Sequence, residues 1–505
     1  MFSLSFGGKL TNDIEGMTVF NGWTDYYDDF VDYCLVDTTL LRDCDDKLNC
    51  TNFHFALQKV CGVQFGSTHK VTRYYRGLIG RRTELKAPSS YIQERPELEA
   101  AWVMQPVPGR HENVALMDFA SLYPNIILSA NLCWTTLVDE GGEGILTLNI
   151  PPKREKDGTY IHGTGGTFHW DQSKEGLFPK VVKELLALRK QYKTLMKEAT
   201  DADEKLGYNM LQMAVKVAVN ALYGMTGSRK IGGQWSSYAI ASSITYLGRK
   251  SITMLVDECE KHGYKALAGH TDSVYVQVPF DDAHPLCETL TGISQNELNL
   301  AYLDVEFEAF FPYWFTANTK NRNFGLISWP LEDKGKMKVT GYSLKASNAP
   351  AVTKEILSSA FELIATGADE NEVYNNVRPA VTNLYRGGKS VDEIASSGRI
   401  NKKLHEYDKV VPNPAKAARY SNQYLKTDFN KGDSIKWVFV NGVPEGQPLT
   451  NVIAYENVNQ LEDYDIDWST VVEKWVRSKI KSVYETLNWD LDAVTAMRVP
   501  KKYGW

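Results

Sequence analysis

The chain carries an acid at the end of an apolar run. Val114-Ala115-Leu116-Met117 leads directly into Asp118, and Phe119-Ala120-Ser121-Leu122-Tyr123-Pro124-Asn125-Ile126-Ile127 follows. This reads as a strand that ends in a carboxylate and runs into a tight turn carrying Ser, Tyr and Pro. Such a turn is a place to hold a metal ion beside a polyphosphate. A second acid stands in Gly269-His270-Thr271-Asp272-Ser273, between Tyr264–Ala268 and Val274–Val278. The latter run alternates Val with Ser, Tyr or Gln, the pattern of a half-buried strand, so Asp272 falls at a hairpin. Two carboxylates on strands of one sheet can hold two divalent metals, the apparatus for in-line attack on a phosphate.

Between the two acids lies Lys216-Val217-Ala218-Val219-Asn220-Ala221-Leu222-Tyr223-Gly224. Lys216, Asn220 and Tyr223 fall at i, i+4 and i+7, one face of a helix. Arg189 and Lys193, four apart in Leu188-Arg189-Lys190-Gln191-Tyr192-Lys193, share a face of an earlier helix. Two such helices aiming Arg189, Lys193 and Lys216 at one point would clamp phosphates. The alternative is a solvated basic face, the preferred reading for Lys190.

These segments resemble the motifs of the family B DNA polymerases. The decapeptide from Asp118 is similar to the first palm motif, Asp-x-x-Ser-Leu-Tyr-Pro-Ser-Ile-Ile, with Asn125 where Ser is usual. The Lys216 segment is similar to the fingers motif, Lys-x-x-x-Asn-x-x-Tyr-Gly. The Asp272 hairpin resembles Asp-Thr-Asp-Ser, with His270 replacing the first Asp. The resemblance runs from roughly residue 90 to residue 440. It implies a multidomain α+β protein shaped as a right hand, of a phage or viral replicative type, with an antiparallel-sheet palm, helical-hairpin fingers and a mostly helical thumb. The expected parts are a C-terminal remnant of a 3′–5′ exonuclease domain (1–60), a linker and palm connection (61–110), palm (111–176), fingers (177–224), palm again (225–350) and thumb (351–505).

The resemblance also implies roles. Asp118 and Asp272 would be catalytic and, with the carbonyl of Phe119, would bind two Mg2+ ions, for which Mn2+ can substitute. Ser121, the Leu122 amide, Arg189, Lys193, Lys216 and Asn220 would bind the incoming deoxynucleoside triphosphate. Tyr123 would lie beneath its sugar, where a 2′-hydroxyl clashes. Tyr223, Gly224, Lys320, Arg322 and Lys345 would touch primer-template DNA, with Lys336, Lys338, Lys402, Lys403, Lys416 and Arg419 as further phosphate contacts. For His270, tuning of the metal site, proton donation and simple local hydrogen bonding are open. The bland alternatives are turn-capping aspartates, a core tyrosine and solvated basic turns.

Composition fits a globular protein, with 43% hydrophobic and 23% charged residues. The net charge of −6 excludes a uniformly basic surface but not a local basic groove. No apolar run approaches a membrane span, and no membrane partner is expected. Seven cysteines without a Cys-x-x-Cys pair point to reduced thiols and a cytoplasmic setting, a host cytoplasm if the protein is viral.

Tyr33-Cys34-Leu35-Val36-Asp37 matches Tyr-x-x-x-Asp, the last exonuclease motif of the family, and stands only 32 residues after Met1, where the family's other exonuclease acids are expected well upstream. The expectation is a split within the exonuclease, completed by a separate chain that meets Phe20, Trp23, Phe30 and Leu35. A sliding clamp is a further possible partner. Two other functions stay open: a non-catalytic, polymerase-derived DNA-binding or scaffold subunit, and an RNA-synthesising relative.

Overall fold

The computed structural model describes residues 24–83, 97–227, 235–408 and 410–497, with Lys345 described by its backbone alone. Helices α1 (Tyr27–Leu48), α2 (Cys50–Cys61) and α3 (Val71–Leu78) precede strand β1 (Gly109–Phe119) and helix α4 (Leu122–Ser129). Strands β2 (Leu137–Val138), β3 (Ile145–Ile150) and β4 (Gly166–Asp171) lead to helices α5 (Leu177–Glu198), α6 (Ala202–Thr226) and α7 (Tyr238–Lys261). Next come β5 (Lys265–His270), β6 (Ser273–Gln277), α8 (Phe280–Glu297), β7 (Val305–Thr316), β8 (Asn323–Leu326) and β9 (Met337–Thr340). The remainder holds α9 (Ala351–Ala365), α10 (Glu370–Tyr385), α11 (Val391–Ile394), β10 (Ser396–Arg399), α12 (Asn413–Tyr424), β11 (Ser434–Gly442), β12 (Val452–Tyr455), β13 (Asp465–Ile466), α13 (Trp468–Val472), α14 (Ser478–Leu487) and α15 (Leu491–Thr495).

The chain divides into two compact units. One draws on Met1–Ala101, Phe119–Ser251 and Thr291–Asp304; the other on Trp102–Asp118, Ile252–Leu290 and Val305–Trp505.

The second unit is built on a six-stranded sheet of order β5-β6-β1-β7-β8-β9. β1 is apolar where it must be: Val114 to Met117 are buried, so both faces of the strand are covered. Val114 and Leu116 join Leu267, Tyr275, Phe311 and Trp314 in one core cluster. Tyr275 and Trp314 stack there, with centroids 4.3 Å apart. A larger core runs from Phe315 and Phe324 to Tyr484 and Val494, with Phe324 stacked flat on Phe361 at 4.1 Å. Beyond residue 351 the expected helices are accompanied by a four-stranded sheet, β10-β11-β12 with β13 on β11. Helices still make up the larger part of its regular structure, with this small sheet added. β11 shows in the sequence as the apolar run Ile435–Val440, while its partners β10, β12 and β13 are short and separated from it by helix and loop.

The first unit holds a helical hairpin. α5 and α6 pack along each other and are joined by three residues. The connection ends where the Asp201 side chain accepts from the amides of Asp203 and Glu204 at 3.0 and 2.9 Å, an N-cap for α6. α6 buries Gln212, Val215, Val219, Leu222 and Thr226, a stripe at helical spacing. α2 and α3 pack on α6, and α4 packs on both helices of the hairpin. Within residues 137–171 lies a three-stranded sheet, β2-β4-β3.

Candidate functional site

Two carboxylates meet at one end of the sheet in the second unit. The β1–β6 ladder is antiparallel and pairs Asp118 with Ser273. The β5–β6 ladder pairs His270 with the same Ser273. His270, Ser273 and Asp118 thus form one row across three strands, with Asp272 in the two-residue turn beside it. Row neighbours project from the same face of a sheet. Asp118 shares the parity of Val114 and Leu116, so it is the last, polar position of a buried face.

Both turns depart from ordinary backbone. Thr271 has φ +40° and Ser121 has φ +52°. A non-glycine residue, a β-branched one above all, adopts this conformation only when its surroundings impose it. The Thr271 amide donates to the Trp102 carbonyl at 3.2 Å. After β1, the Ala120 amide donates to the Asp304 carbonyl at 3.0 Å. The Asn125 side-chain amide donates to the Ala120 carbonyl at 2.6 Å. Asn125, the departure from the family motif, thereby ties the turn to the first turn of α4.

The electrostatics of this corner are one-sided. Burial, then Asp272, Glu308 and Glu306, push the Asp118 carboxyl up to about 8, against which Lys338 pulls only weakly. Burial and Glu308 raise Asp272 as well. Glu306 and Glu308 lie on β7, next to β1 in the sheet, and sequence reasoning missed both. Their signal was the alternation Val305-Glu306-Phe307-Glu308, but only the topology brings it beside Asp118. A divalent cation is the charge such a cluster lacks, and oxygen ligands suit Mg2+. Among the described residues no three His, Cys, Asp or Glu side chains form a ready-made cage. The donor set fits a cation that also takes ligands from backbone and substrate.

His270 is held apart from this charge. Its Nε2 lies 3.4 Å from the Asn323 side-chain amide, and its ring meets Tyr275 edge to face. Burial lowers its pKa, offset in part by a hydrogen bond to Asn321, so the imidazole is neutral near pH 7.

In the first unit, Ser121 is the N-cap residue of α4, Leu122 is buried, and Tyr123 stacks on Tyr223 with centroids 4.3 Å apart. On α6, Lys216, Asn220 and Gly224 are exposed at four-residue spacing, and Tyr223 is half-buried. No atom would meet a Cβ at Gly224 within 4 Å, so the backbone there is open to a close approach. On α5, Arg189 is half-buried and Lys193 exposed. Phe119, following Asp118, has a fully buried side chain.

Several predicted DNA contacts are already committed. The Lys320 ammonium donates to the Val103 carbonyl at 2.7 Å. Lys338 pairs with Glu308 at 3.0 Å, and Lys336 pairs with Asp333. Arg419 donates through Nε to the Leu404 carbonyl at 3.0 Å and also to the Tyr407 carbonyl at 2.9 Å, the work of a structural arginine. Lys416 bonds the Asn451 side chain. Arg322, Lys402 and Lys403 are exposed. Tyr33 and Asp37 lie on α1, four residues apart and so on one helix face. Of the proposed apolar interface, Phe30 is buried and Leu35 is 60% exposed, while Phe20 and Trp23 lie outside the described residues.

Known proteins resemble this chain in sequence and in fold. A 434-residue stretch is 26% identical to the DNA polymerase delta catalytic subunit of Plasmodium falciparum, covering 81% of this chain and 38% of that protein. DNA polymerase 1 of Saccharolobus solfataricus is 28% identical over 357 residues, 68% of this chain and 38% of its own. The chain thus spans under half the length of these relatives. The family B DNA polymerase structure from Pyrobaculum calidifontis superposes with a TM-score of 0.64 at 21% identity, over 93% of this chain and 58% of that one, a likeness of fold. These relatives are eukaryotic and archaeal and lend no support to a phage or viral source or to a split chain. Residues 73–485, most of the sequence, match the family model described as DNA polymerase family B, and the chain belongs to that family.

Proposed function

We propose that the chain performs template-directed DNA synthesis, adding deoxynucleotides to a primer 3′-hydroxyl by two-metal-ion nucleotidyl transfer. One observation carries the reading: Asp118 and Asp272 meet at one sheet end where burial and neighbouring carboxylates raise the pKa of both, so that a cation is favoured there. Asp118, Asp272 and the Phe119 carbonyl would hold Mg2+, or Mn2+ in its place. Bound divalent ions would lower the pKa of the attacking hydroxyl and neutralise the triphosphate. The chain's own residues do the rest. The Ser121 turn and Leu122 amide offer N–H donors at a helix start. Arg189, Lys193 and Lys216 supply positive charge for the phosphates, Asn220 supports the nucleotide, and Tyr123 excludes a 2′-hydroxyl. Tyr223, Gly224, Lys320, Arg322 and Lys345 would line the path of primer and template. Proofreading by a partner chain rests on the Tyr33-x-x-x-Asp37 pattern alone, and loss of 3′–5′ degradation on Asp37→Ala in a reconstituted complex would test it.

The decisive experiment is primer extension by Asp118→Asn and Asp272→Asn, with DNA binding measured in parallel. Binding without extension is expected. A variant that extends primers near the wild-type rate would remove its aspartate from the metal site.

A further inference from the structure

Gly248 sits in the interior of α7, buried, with a backbone that is not left-handed. Alanine is intrinsically the better helix former at such a position, so the helix itself gives no reason for glycine. The reason is the neighbour. A Cβ at Gly248 would stand 2.9 Å from Tyr123 Cε1, 3.6 Å from its Cδ1 and 3.7 Å from Ile126 Cδ1. Carbon atoms attract at about 3.5–4.0 Å, so the first of these contacts lies well inside the repulsive wall.

The Tyr123 ring has little freedom to retreat. It is stacked on Tyr223 at an interplanar angle of 29°, and the two side chains are hydrogen-bonded. Nor can α7 swing away. The next residue, Arg249, pairs with the Glu99 carboxylate at 2.8 Å and donates to the carbonyls of Glu99 and Ala100 at 2.9 and 3.2 Å. Its guanidinium is largely buried and lies near Tyr123, Tyr238 and Tyr246. The tyrosine ring is therefore held between an aromatic face and a helix surface from which a side chain is missing.

We infer that Gly248 is a specificity-determining position: the absent side chain fixes how deeply the Tyr123 ring is seated, and so how much room the nucleotide sugar has. The inference rests on the reading of Tyr123 as the sugar gate. Gly248 acts through that ring and is a positioning residue.

The test is a double-mutant cycle in the full chain with primer-template DNA. Single-turnover incorporation of a deoxynucleotide and of its ribonucleotide is measured for wild type, Gly248→Ala, Tyr123→Ala and the double variant, with thermal melts of each. Gly248→Ala is expected to lower deoxynucleotide efficiency about tenfold and to shift the deoxy-to-ribo ratio, with less than about twofold effect once Tyr123 is alanine. Equal losses in both backgrounds would mean that residue 248 matters only for packing of the helix, and would overturn the inference while leaving the gate intact. A Tyr123→Ala ratio equal to that of wild type would remove the gate reading itself, and the inference with it. Should Gly248→Ala fail to fold, the double variant, in which the new methyl has room, must fold again for the inference to stand.

Discussion

The carboxylate corner of the second unit and the helical hairpin of the first handle charge in opposite ways. Asp118 and Asp272 are partly buried and crowd two further glutamates, with Lys338 to relieve them only weakly. Lys193, Lys216 and Asn220 stand in solvent on helices whose buried stripes face elsewhere. The acids are fixed by ladder register and by turns with imposed backbone; the bases take their direction from helix phase. Each arrangement suits its proposed partner. A small hard cation needs preset oxygens and rewards their crowding, because binding relieves repulsion the fold already bears. A triphosphate is large, and long cationic side chains can follow it.

The sharpest way to break this comparison is to neutralise the acids. Asp118→Asn and Asp272→Asn should each slow extension by about a thousandfold or more, since several kcal/mol of metal-borne charge stabilisation is lost. Rapid-quench primer extension at saturating nucleotide measures it. In metal-free buffer above about pH 8, where the wild-type carboxyl is charged, Asp118→Asn should also melt higher than wild type, because one of the repelling charges is gone.

The bases should matter less one at a time. Arg189→Ala and Lys216→Ala should each cost about ten- to a hundredfold in kcat/KM for nucleotide, the worth of one charge-assisted hydrogen bond. Nucleotide titrations under single-turnover conditions separate affinity from rate. No change for either variant would return these residues to the solvated face that is their bland alternative.

Why the acids were readable and much else was not follows from range. Asp118 and Asp272 announce themselves because strand, turn and acid are contiguous, and the turn chemistry is local. The hairpin's break at Asp201 is likewise an N-cap within four residues. Glu306 and Glu308 needed the pairing of β1 with β7, nearly two hundred residues on. Lys338 and Arg419 show the limit of charge read from sequence. A sequence displays their charge but not the Glu308 carboxylate or the Leu404 and Tyr407 carbonyls that already occupy them. Gly248 reads only as a flaw in a helix until Tyr123 is seen against it. Of the sheet beyond residue 396, the apolar run Ile435–Val440 in β11 reads as a strand, but its partners β10, β12 and β13 are short and separated by helix and loop.

Acidity offers a smaller effect with a definite sign. The folded state holds the Asp118 proton more tightly than the unfolded chain does, since its pKa rises from an ordinary 3.8 to about 8. That preference stabilises the fold fully below the unfolded value and is lost as pH rises through about 8. Metal-free protein should therefore melt several degrees lower at the upper end of this window than at its lower end, and Mg2+ should narrow the gap. Calorimetric scans with and without chelator test it, and Asp118→Asn should flatten the profile. A profile equally steep in that variant would assign the titration to another group.

The smallest effect is expected where the family pattern is broken. His270→Asp restores the commoner acid, yet the geometry gives that acid little to do. His270 and Asp118 are opposite the same Ser273 on either side of β6, so their strands are two ladder spacings apart, about 10 Å. The imidazole is neutral and turned toward Asn323 and Asn321, so removing it takes no charge from the metals. A carboxylate there would find an amide donor in Asn323 and add one negative charge at roughly a Debye length from Asp118. Extension rates should stay within about threefold of wild type, with at most a modest shift in the Mg2+ concentration for half-maximal rate. Titrating Mg2+ in primer extension reads both quantities. An inactive His270→Asp protein that still melts like wild type would show that the imidazole itself moves a proton during the reaction, and that the acid corner is not the whole of the chemistry on this sheet.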